Sequence, residues 1–410
     1  MKFYPYLYKV FTMQDDYNIK IDSPKSGKLR AELEKRSDAD ARRMLRFLDM
    51  PDLSRTEGSP LKALIDLVLG ISDFKDFDAV QIPEIVPAKE SFDLFDFPAE
   101  HPARSKSDTY YVNDEYILRT HTTVMWYYYL LSERAKEKLM GEEPVGIFSY
   151  GKVYRKDEID RRHMSVFHQV DGLLLVRKEM KSIVKTDLEN VLAKIAKAIF
   201  GENIKYRFND DSFPYTYDSI EMEVLIGGGP DSKRIEDARS TDRQKWVEVL
   251  GAGIAQPSVL EKLGVDSKVW GGWAFGFGLE RLAIISMELP DIRLLWSEDP
   301  RVKKQLKLGN KFKEVSKYPP ITRDISFVVA NDFVPNNYFD IIRDLGGDLV
   351  EQVELLDKYE NAAKFGEEKI SYTYRIVYRS NERTLVSEEV DVIQNKIYSE
   401  TAKQFSAELR

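Results

Sequence analysis

The chain has 410 residues, with 61 Lys and Arg against 69 Asp and Glu, a formal net charge of −8, and no cysteine. That length holds two or three domains with ample core, and the absence of cysteine excludes disulfides, thiol catalysis and Cys-based zinc sites. Basic and acidic residues balance from 301 to 410, so the acidic excess lies in the first 300 residues, and any nucleic-acid site must be a local patch.

No apolar run approaches the roughly 20 residues that span a bilayer, so no membrane partner is expected. The N-terminus carries acidic residues by position 15 and no arginine before Arg30. That is unlike a secretory signal or an Arg-rich transit peptide. The expectation is a cytoplasmic protein, with the mitochondrial matrix as the alternative.

Residues 1–23 mix aromatic and polar side chains without a clean period. From Lys25 to Arg55 the chain is densely charged, and Leu29, Leu33, Met44, Leu45 and Leu48 suggest one or more partly amphipathic helices. SPLKALIDLVLG (59–70) reads as a helix with Ser59 as cap, Pro60 at its first position and Gly70 at its end. Residues 1–75 thus form a helical extension of no nameable chemistry, with 1–58 expected as an auxiliary helix that packs on the next domain or touches a nucleic-acid partner.

Residues 76–305 read as an α+β domain around an antiparallel sheet. Candidate strands are 108–112, 116–119, 147–155, 166–176, 220–226, 245–250 and 271–276. Gly227, Gly228, Gly229 and Pro230 open a polar stretch to Gln244, most simply a surface loop. A phosphate-cradling role would need a following helix with a Lys-Ser or Lys-Thr signature, which is absent.

A basic linker covers 306–316. Beyond it, 323–330 is strand-like, 335–346 helix-like, 350–360 a strand, and 369–379 alternates strictly with Ile370, Tyr372, Tyr374, Ile376 and Tyr378 on one face. Ser387 opens a helix with Glu388 and Glu389 in its first turn. With a short strand near the end, 317–410 is β-α-β-β-α-β, a ferredoxin-like domain.

The four histidines, His101, His121, His163 and His168, share one stretch of the chain. Their spacing is neither HxH nor HxxxH, which disfavours a metal cluster. Two segments stand out more sharply. GKVYRKDEIDRRHMSVFHQVDG (151–172) reads as strand, loop, strand, and WAFGFGLERL (273–282) as a glycine-punctuated strand entering a helix. Arginines on separate elements with a phenylalanine between them suit a bent nucleotide, since guanidinium forks bind phosphate oxygens bidentately and keep their charge.

These segments resemble motifs 2 and 3 of class II aminoacyl-tRNA synthetases. The residues around them are similar to the phenylalanyl-tRNA synthetase family from 76 to 410: Pro83 in motif 1, FPAEHPARSKSDTYYV (97–112), ILRTHTTVMW (117–126), FPYT (213–216) and WVEVLGAG (246–253). The resemblance implies a class II catalytic domain using ATP and Mg²⁺. Arg155 would hold the α-phosphate and the substrate carboxylate, Phe167 would stack on adenine, and Arg281 would contact the γ-phosphate. Glu248 would ligate Mg²⁺, with Glu223 a weaker candidate. His121, Thr123, Gln169 and Asp171 would bind the polar groups of L-phenylalanine, while Phe213, Tyr215, Ala274 and Gly276 would surround its ring.

YPPITRDISFVV (318–329) and GGDLVEQVELLDKY (346–359), followed by YRIVYRSNERTL (374–385), resemble the family's anticodon-binding domain, here fused behind the catalytic domain as in the mitochondrial single-chain type. That implies a monomer partnered by tRNA(Phe), with Arg323, Arg375, Arg379 and Arg383 and the aromatic residues of the sheet as candidate tRNA contacts. The blander reading makes the tyrosine row the buried face of that sheet. Two rival functions stay open: a non-catalytic tRNA-binding paralogue, and the same chemistry with relaxed or tyrosine-like specificity. Tyr215 stands where the family commonly has Phe, and Asp171 where it usually has Glu.

Overall fold

Every residue of strand Val145–Tyr154 is buried, and Val166–Arg177 is buried along most of its length. Strands covered on both faces belong at the centre of a sheet. The computed structural model, which describes residues 10–12, 18–226, 245–314, 318–361, 365, 368–380 and 382–410, places them there. The sheet has nine strands, running from Val10–Thr12 through Asn18–Ile21, Asp78–Gln81, Val145–Tyr154, Val166–Arg177, Trp270–Gly278, Lys245–Ala255 and Thr216–Ile226 to Tyr206–Asp210. Asp78–Gln81 lies parallel to both its neighbours, and the remaining pairs are antiparallel.

Strand alternation sends each central strand's side chains into two cores. On one face, helices Pro60–Leu69, Lys185–Phe200 and Leu279–Met287 pack through Leu64, Ile195 and Leu282 against Val170, Trp273 and Phe275. On the other, Trp126, Tyr128 and Phe95 cover Leu173, Leu175 and Ala274. The helix at 60–69 forms as its sequence predicts: Ser59 Oγ accepts from the Leu61 N–H, Pro60 opens it and Gly70 ends it.

The expected helical character of residues 1–75 needs correction. Helices Pro24–Glu34 and Ala39–Asp49 are present, but Asn18–Ile21 is a strand that extends the main sheet. Its neighbour in the sheet is far along the chain, so local pattern could not reveal it. Residues 108–112 form no strand either, only an isolated bridge from Tyr111 to Ile117. The glycine-rich loop from Gly227 to Gln244 and residues 315–316 of the linker lie outside the described residues.

The C-terminal part has the expected β-α-β-β-α-β order. Its sheet runs Val350–Glu360, Lys369–Tyr378, Ile321–Ala330, Glu408–Leu409, with helices Pro335–Gly346 and Ser387–Phe405. Ser387 is the first helical residue, and Glu389 reaches back to the Val386 N–H. Tyr372, Tyr374 and Tyr378 are buried with Tyr338, Phe327 and Ile397. The tyrosine row is therefore core, and stacking on bases is not its role.

Charged side chains join the two parts. Buried Asp340 accepts from the Tyr110 hydroxyl at 2.7 Å and lies 3.4 Å from Arg43. Arg343 donates to the carbonyls of Asp157 and Glu158, and buried Glu351 accepts from Arg161 and Arg379.

Candidate active site

A cleft of about 770 Å³ opens over the central strands. Asp171, Gln169 and Phe167 alternate with buried His168 and Val170, so one strand presents three of the candidate residues on one face. Trp270–Gly278 pairs beside it, with Gly276 opposite Asp171 and Gly278 opposite Gln169.

Asp171 anchors one end. Its carboxylate accepts from the Thr123 hydroxyl at 2.7 Å and from the Thr122 hydroxyl. A Cβ at Gly276 would stand 2.6 Å from its Oδ1, so only glycine leaves room for the carboxylate. Burial pushes Asp171 up to about 6, and the two threonine hydroxyls oppose that rise. It is a carboxylate short of a cation.

Rings enclose the space around it. Tyr215 stacks between Phe97 (6.1 Å, 28°) and Phe213 (6.1 Å, 22°), with Trp126 and Phe95 edge-on. Gly251 admits Phe213, whose ring would lie 2.7 Å from a Cβ there. His121 stacks on Phe97, and among the described residues neither of its buried ring nitrogens makes a hydrogen bond within normal geometry. Burial, and then the charge of Arg155, push its pKa down to about 3, so the ring is neutral. The Tyr215 phenol is held well above its ordinary value by burial and by the charge of Asp171.

Arg155 and Arg281 occupy the other end. Arg155 Nε donates to the Thr120 carbonyl at 2.9 Å, and its guanidinium sits 5.2 Å from the centre of the Phe167 ring. Protein walls surround Arg155, yet water reaches its guanidinium through the open cleft. Arg281, in the first turn of its helix, pairs with Glu248 at 3.4 Å, and both are about half exposed. Two cations and a carboxylate that one of them holds at 3.4 Å, all reached by solvent, form a donor set for a polyphosphate and its divalent ion.

The cleft thus gathers eleven of the candidates: Arg155, Arg281, Glu248, Gln169, Asp171 and His121 on its polar walls, and Thr123, Phe213, Tyr215, Ala274 and Gly276 around its apolar end. Phe167 is absent from that lining and carries Arg155 over its ring. Glu223 faces Glu248 across the strand pair, but it is engaged by Arg207 and Asn209. Those bonds, at 2.5 and 2.9 Å, hold Glu223 closer than Arg281 holds Glu248 at 3.4 Å. Among the described residues no group of three or more His, Asp or Glu forms a metal cage.

The four arginines of the C-terminal sheet are all paired within the chain: Arg323 with Asp391, Arg375 with Asp324, Arg379 with Glu351 and Arg383 with Glu389. Arg379 shares the buried Glu351 with Arg161, and it is Arg161 that reaches this carboxylate from the other part.

Sequence reasoning missed Thr122, Phe95, Phe97 and Trp126, although THTT and the aromatic run at 92–97 carried the signal. It also missed Asn336, which reaches the cleft rim from the C-terminal part. No local pattern could announce a contact across that sequence distance.

An antiparallel sheet with a phosphate-ready arginine on each of two motifs, followed by a ferredoxin-like domain, defines a class II aminoacyl-tRNA synthetase. Residues 48–306 match the tRNA synthetase class II core domain (F), and residues 316–410 match the ferredoxin-fold anticodon binding domain. The chain belongs to the phenylalanine–tRNA ligase family. It is 36% identical over 348 residues to the chloroplastic/mitochondrial phenylalanine–tRNA ligase of Arabidopsis thaliana, covering 82% of this chain and 73% of that one. It is 34% identical over 368 residues to the mitochondrial phenylalanine–tRNA ligase of Mus musculus, covering 80% and 74%. It is also 34% identical over 258 residues to the phenylalanine–tRNA ligase alpha subunit of Clostridium novyi, covering 62% and 71%.

Proposed function

We propose that the chain activates L-phenylalanine with ATP and transfers it to the 3′-terminal adenosine of tRNA(Phe), at the 2′-hydroxyl. The observation that carries this is Asp171 set beside a box of aromatic rings, with Arg155 and Arg281 further along the same cleft. Asp171 receives the substrate ammonium, and the unpartnered Oε1 of Gln169 is a second acceptor for it. Phe97, Phe213 and Tyr215 surround the ring above Ala274, with ring faces and edges that suit a phenyl group.

In the first step a carboxylate oxygen of phenylalanine attacks the α-phosphorus, the bond to the bridging oxygen breaks, and pyrophosphate leaves. The step needs charge neutralisation and alignment more than a base. Arg155 neutralises the α-phosphate and the incoming carboxylate, and Arg281 the γ-phosphate. Phe167 offers adenine the ring face opposite Arg155. Mg²⁺ fits beside Glu248, since that ion keeps most ligands as water and phosphate oxygen and needs few protein carboxylates. When bound it supplies charge compensation for the leaving pyrophosphate.

Arg323, Arg375 and Arg383 are the tRNA candidates, because exposed ion pairs exchange a carboxylate for phosphate at little cost. Arg379 is left out because its partner Glu351 is buried. The fusion of both parts in one chain favours a monomer. The mitochondrial and chloroplastic relatives favour a mitochondrial or plastid setting over the cytoplasmic expectation. Among the described residues no helix is long and apolar enough to cross a membrane.

Amino-acid-dependent ATP–pyrophosphate exchange with phenylalanine and tyrosine side by side tests the reading. Exchange at least tenfold faster with phenylalanine, about 1.4 kcal/mol in transition-state binding, is the expected result. Equal rates would replace it with relaxed specificity, and no exchange with either would leave the tRNA-binding paralogue.

A further inference from the structure

We propose that His168 and Glu280 are a positioning pair that aligns the ATP-facing side chains of two separate elements. This rests on ATP being the ligand of the arginine end of the cleft. His168 lies between Phe167 and Gln169, and Glu280 directly precedes Arg281. Both are buried, and neither lines the cleft. They meet on the reverse face of the sheet, beneath the residues that they flank.

The pairing of Val166–Arg177 with Trp270–Gly278 ends at Gln169 and Gly278. One residue further along the inner strand, the Glu280 carboxylate replaces the missing ladder partner. It accepts from the His168 backbone N–H at 3.0 and 2.9 Å and meets the ring Nδ1 at 2.6 Å. The other ring nitrogen, Nε2, accepts from the Leu53 N–H at 3.0 Å. An accepting Nε2 puts the ring proton on Nδ1, directed at Glu280. One imidazole therefore links three elements: the segment after helix Ala39–Asp49, the strand of Phe167 and Gln169, and the helix that begins with Arg281's turn.

A carboxylate at that helix start is also favoured by the free N–H groups there. The geometric consequence is specific. Arg281 departs from the helix one residue after the clip, so its reach to a phosphate is set relative to the strand that carries Phe167 and Gln169. Without the clip, the first turn of the helix can pivot about Gly278. Small misplacements of a charged group at a reacting phosphate cost rate steeply.

The test uses the full chain with Glu280→Gln, His168→Asn and His168→Phe, following exchange kinetics, ATP binding by calorimetry and melting temperature. Glu280→Gln should raise the ATP KM at least tenfold and lower kcat, with the phenylalanine KM changed less than twofold. His168→Asn keeps a donor at the Nδ1 position and should recover to within threefold of the parent, whereas His168→Phe should not. On an Arg281→Ala background, Glu280→Gln should add less than twofold, because both act through one contact. A lowered melting temperature with ATP KM and kcat within twofold would overturn the proposal and leave the pair merely structural. Full multiplication of the two effects on the Arg281→Ala background would overturn it as well. Calorimetry separates the two readings: weaker ATP binding in Glu280→Gln supports the pair even if the parent shows no exchange, an outcome that strikes only the adenylate chemistry.

Discussion

Thr123 donates its hydroxyl to Oδ1 of Asp171 at 2.7 Å, in a buried pocket where, among the described residues, no basic side chain forms an ion pair with Asp171. Two hydroxyls do not match the charge of a buried carboxylate, and its pKa stands near 6 because of burial. A raised carboxylate pKa means that the folded state is penalised when Asp171 is ionised. The penalty is fully present at neutral pH and is lost progressively as pH falls from about 6 towards the unfolded value near 3.8.

Asp171→Asn should therefore stabilise the chain at pH 7.5 by about 1–3 kcal/mol while abolishing phenylalanine-dependent exchange. The gain should shrink between pH 6 and about 4, where the parent carboxyl is protonated when folded. In the parent, the phenylalanine KM should rise below pH 6 with the ATP KM unaffected. Melting curves and exchange kinetics across this range check both points; a destabilised variant that still binds phenylalanine would contradict the assignment.

Gly276→Ala places a methyl 2.6 Å from Asp171 Oδ1. The carboxylate must shift or the strand must bend. The expected result is a rise of at least tenfold in the phenylalanine KM, about 1.4 kcal/mol, with ATP binding retained. Calorimetric titration with each ligand separately reads this, and an unchanged phenylalanine affinity would show that Asp171 does not hold the ammonium.

Tyr215→Phe addresses discrimination. The Tyr215 ring is held in the box by Phe97 and Phe213 on its faces and by Trp126 and Phe95 edge-on, so its orientation is set by the protein and not by a bound amino acid. A phenol fixed by its neighbours in this way cannot turn to meet the hydroxyl of a bound tyrosine. Removing the Tyr215 hydroxyl should change the phenylalanine-to-tyrosine ratio of kcat/KM by less than about threefold, a fraction of one hydrogen bond. A collapse of that ratio would instead make Tyr215 the guard against tyrosine.

Asp340→Ala removes a buried carboxylate that receives Tyr110 and lies 3.4 Å from Arg43. Truncating one member of a buried ionic cluster costs about 3 kcal/mol. The melting temperature should drop while pyrophosphate exchange stays within twofold, because Asp340 does not line the cleft. An unchanged melting profile would show that the contact between the two parts contributes no stability.

Much of this protein was legible as sequence. The ferredoxin-like order of 317–410 could be read because each strand and helix there is a local period bounded by its own turns. Arg155, Asp171, Gly276 and Arg281 could be read because the chemistry demands those residue types inside short motifs. What only the tertiary structure decided lies at pairings between distant residues. Asn18–Ile21 becomes a strand through Asp78–Gln81, Glu223 is claimed by Arg207, and Arg379 is claimed by Glu351. His168 meets Glu280 only because two strands run side by side until Gly278. Periodicity and motif spacing are properties of neighbours along the chain, whereas the partner of a charge or a strand edge is set by which surfaces the fold buries together.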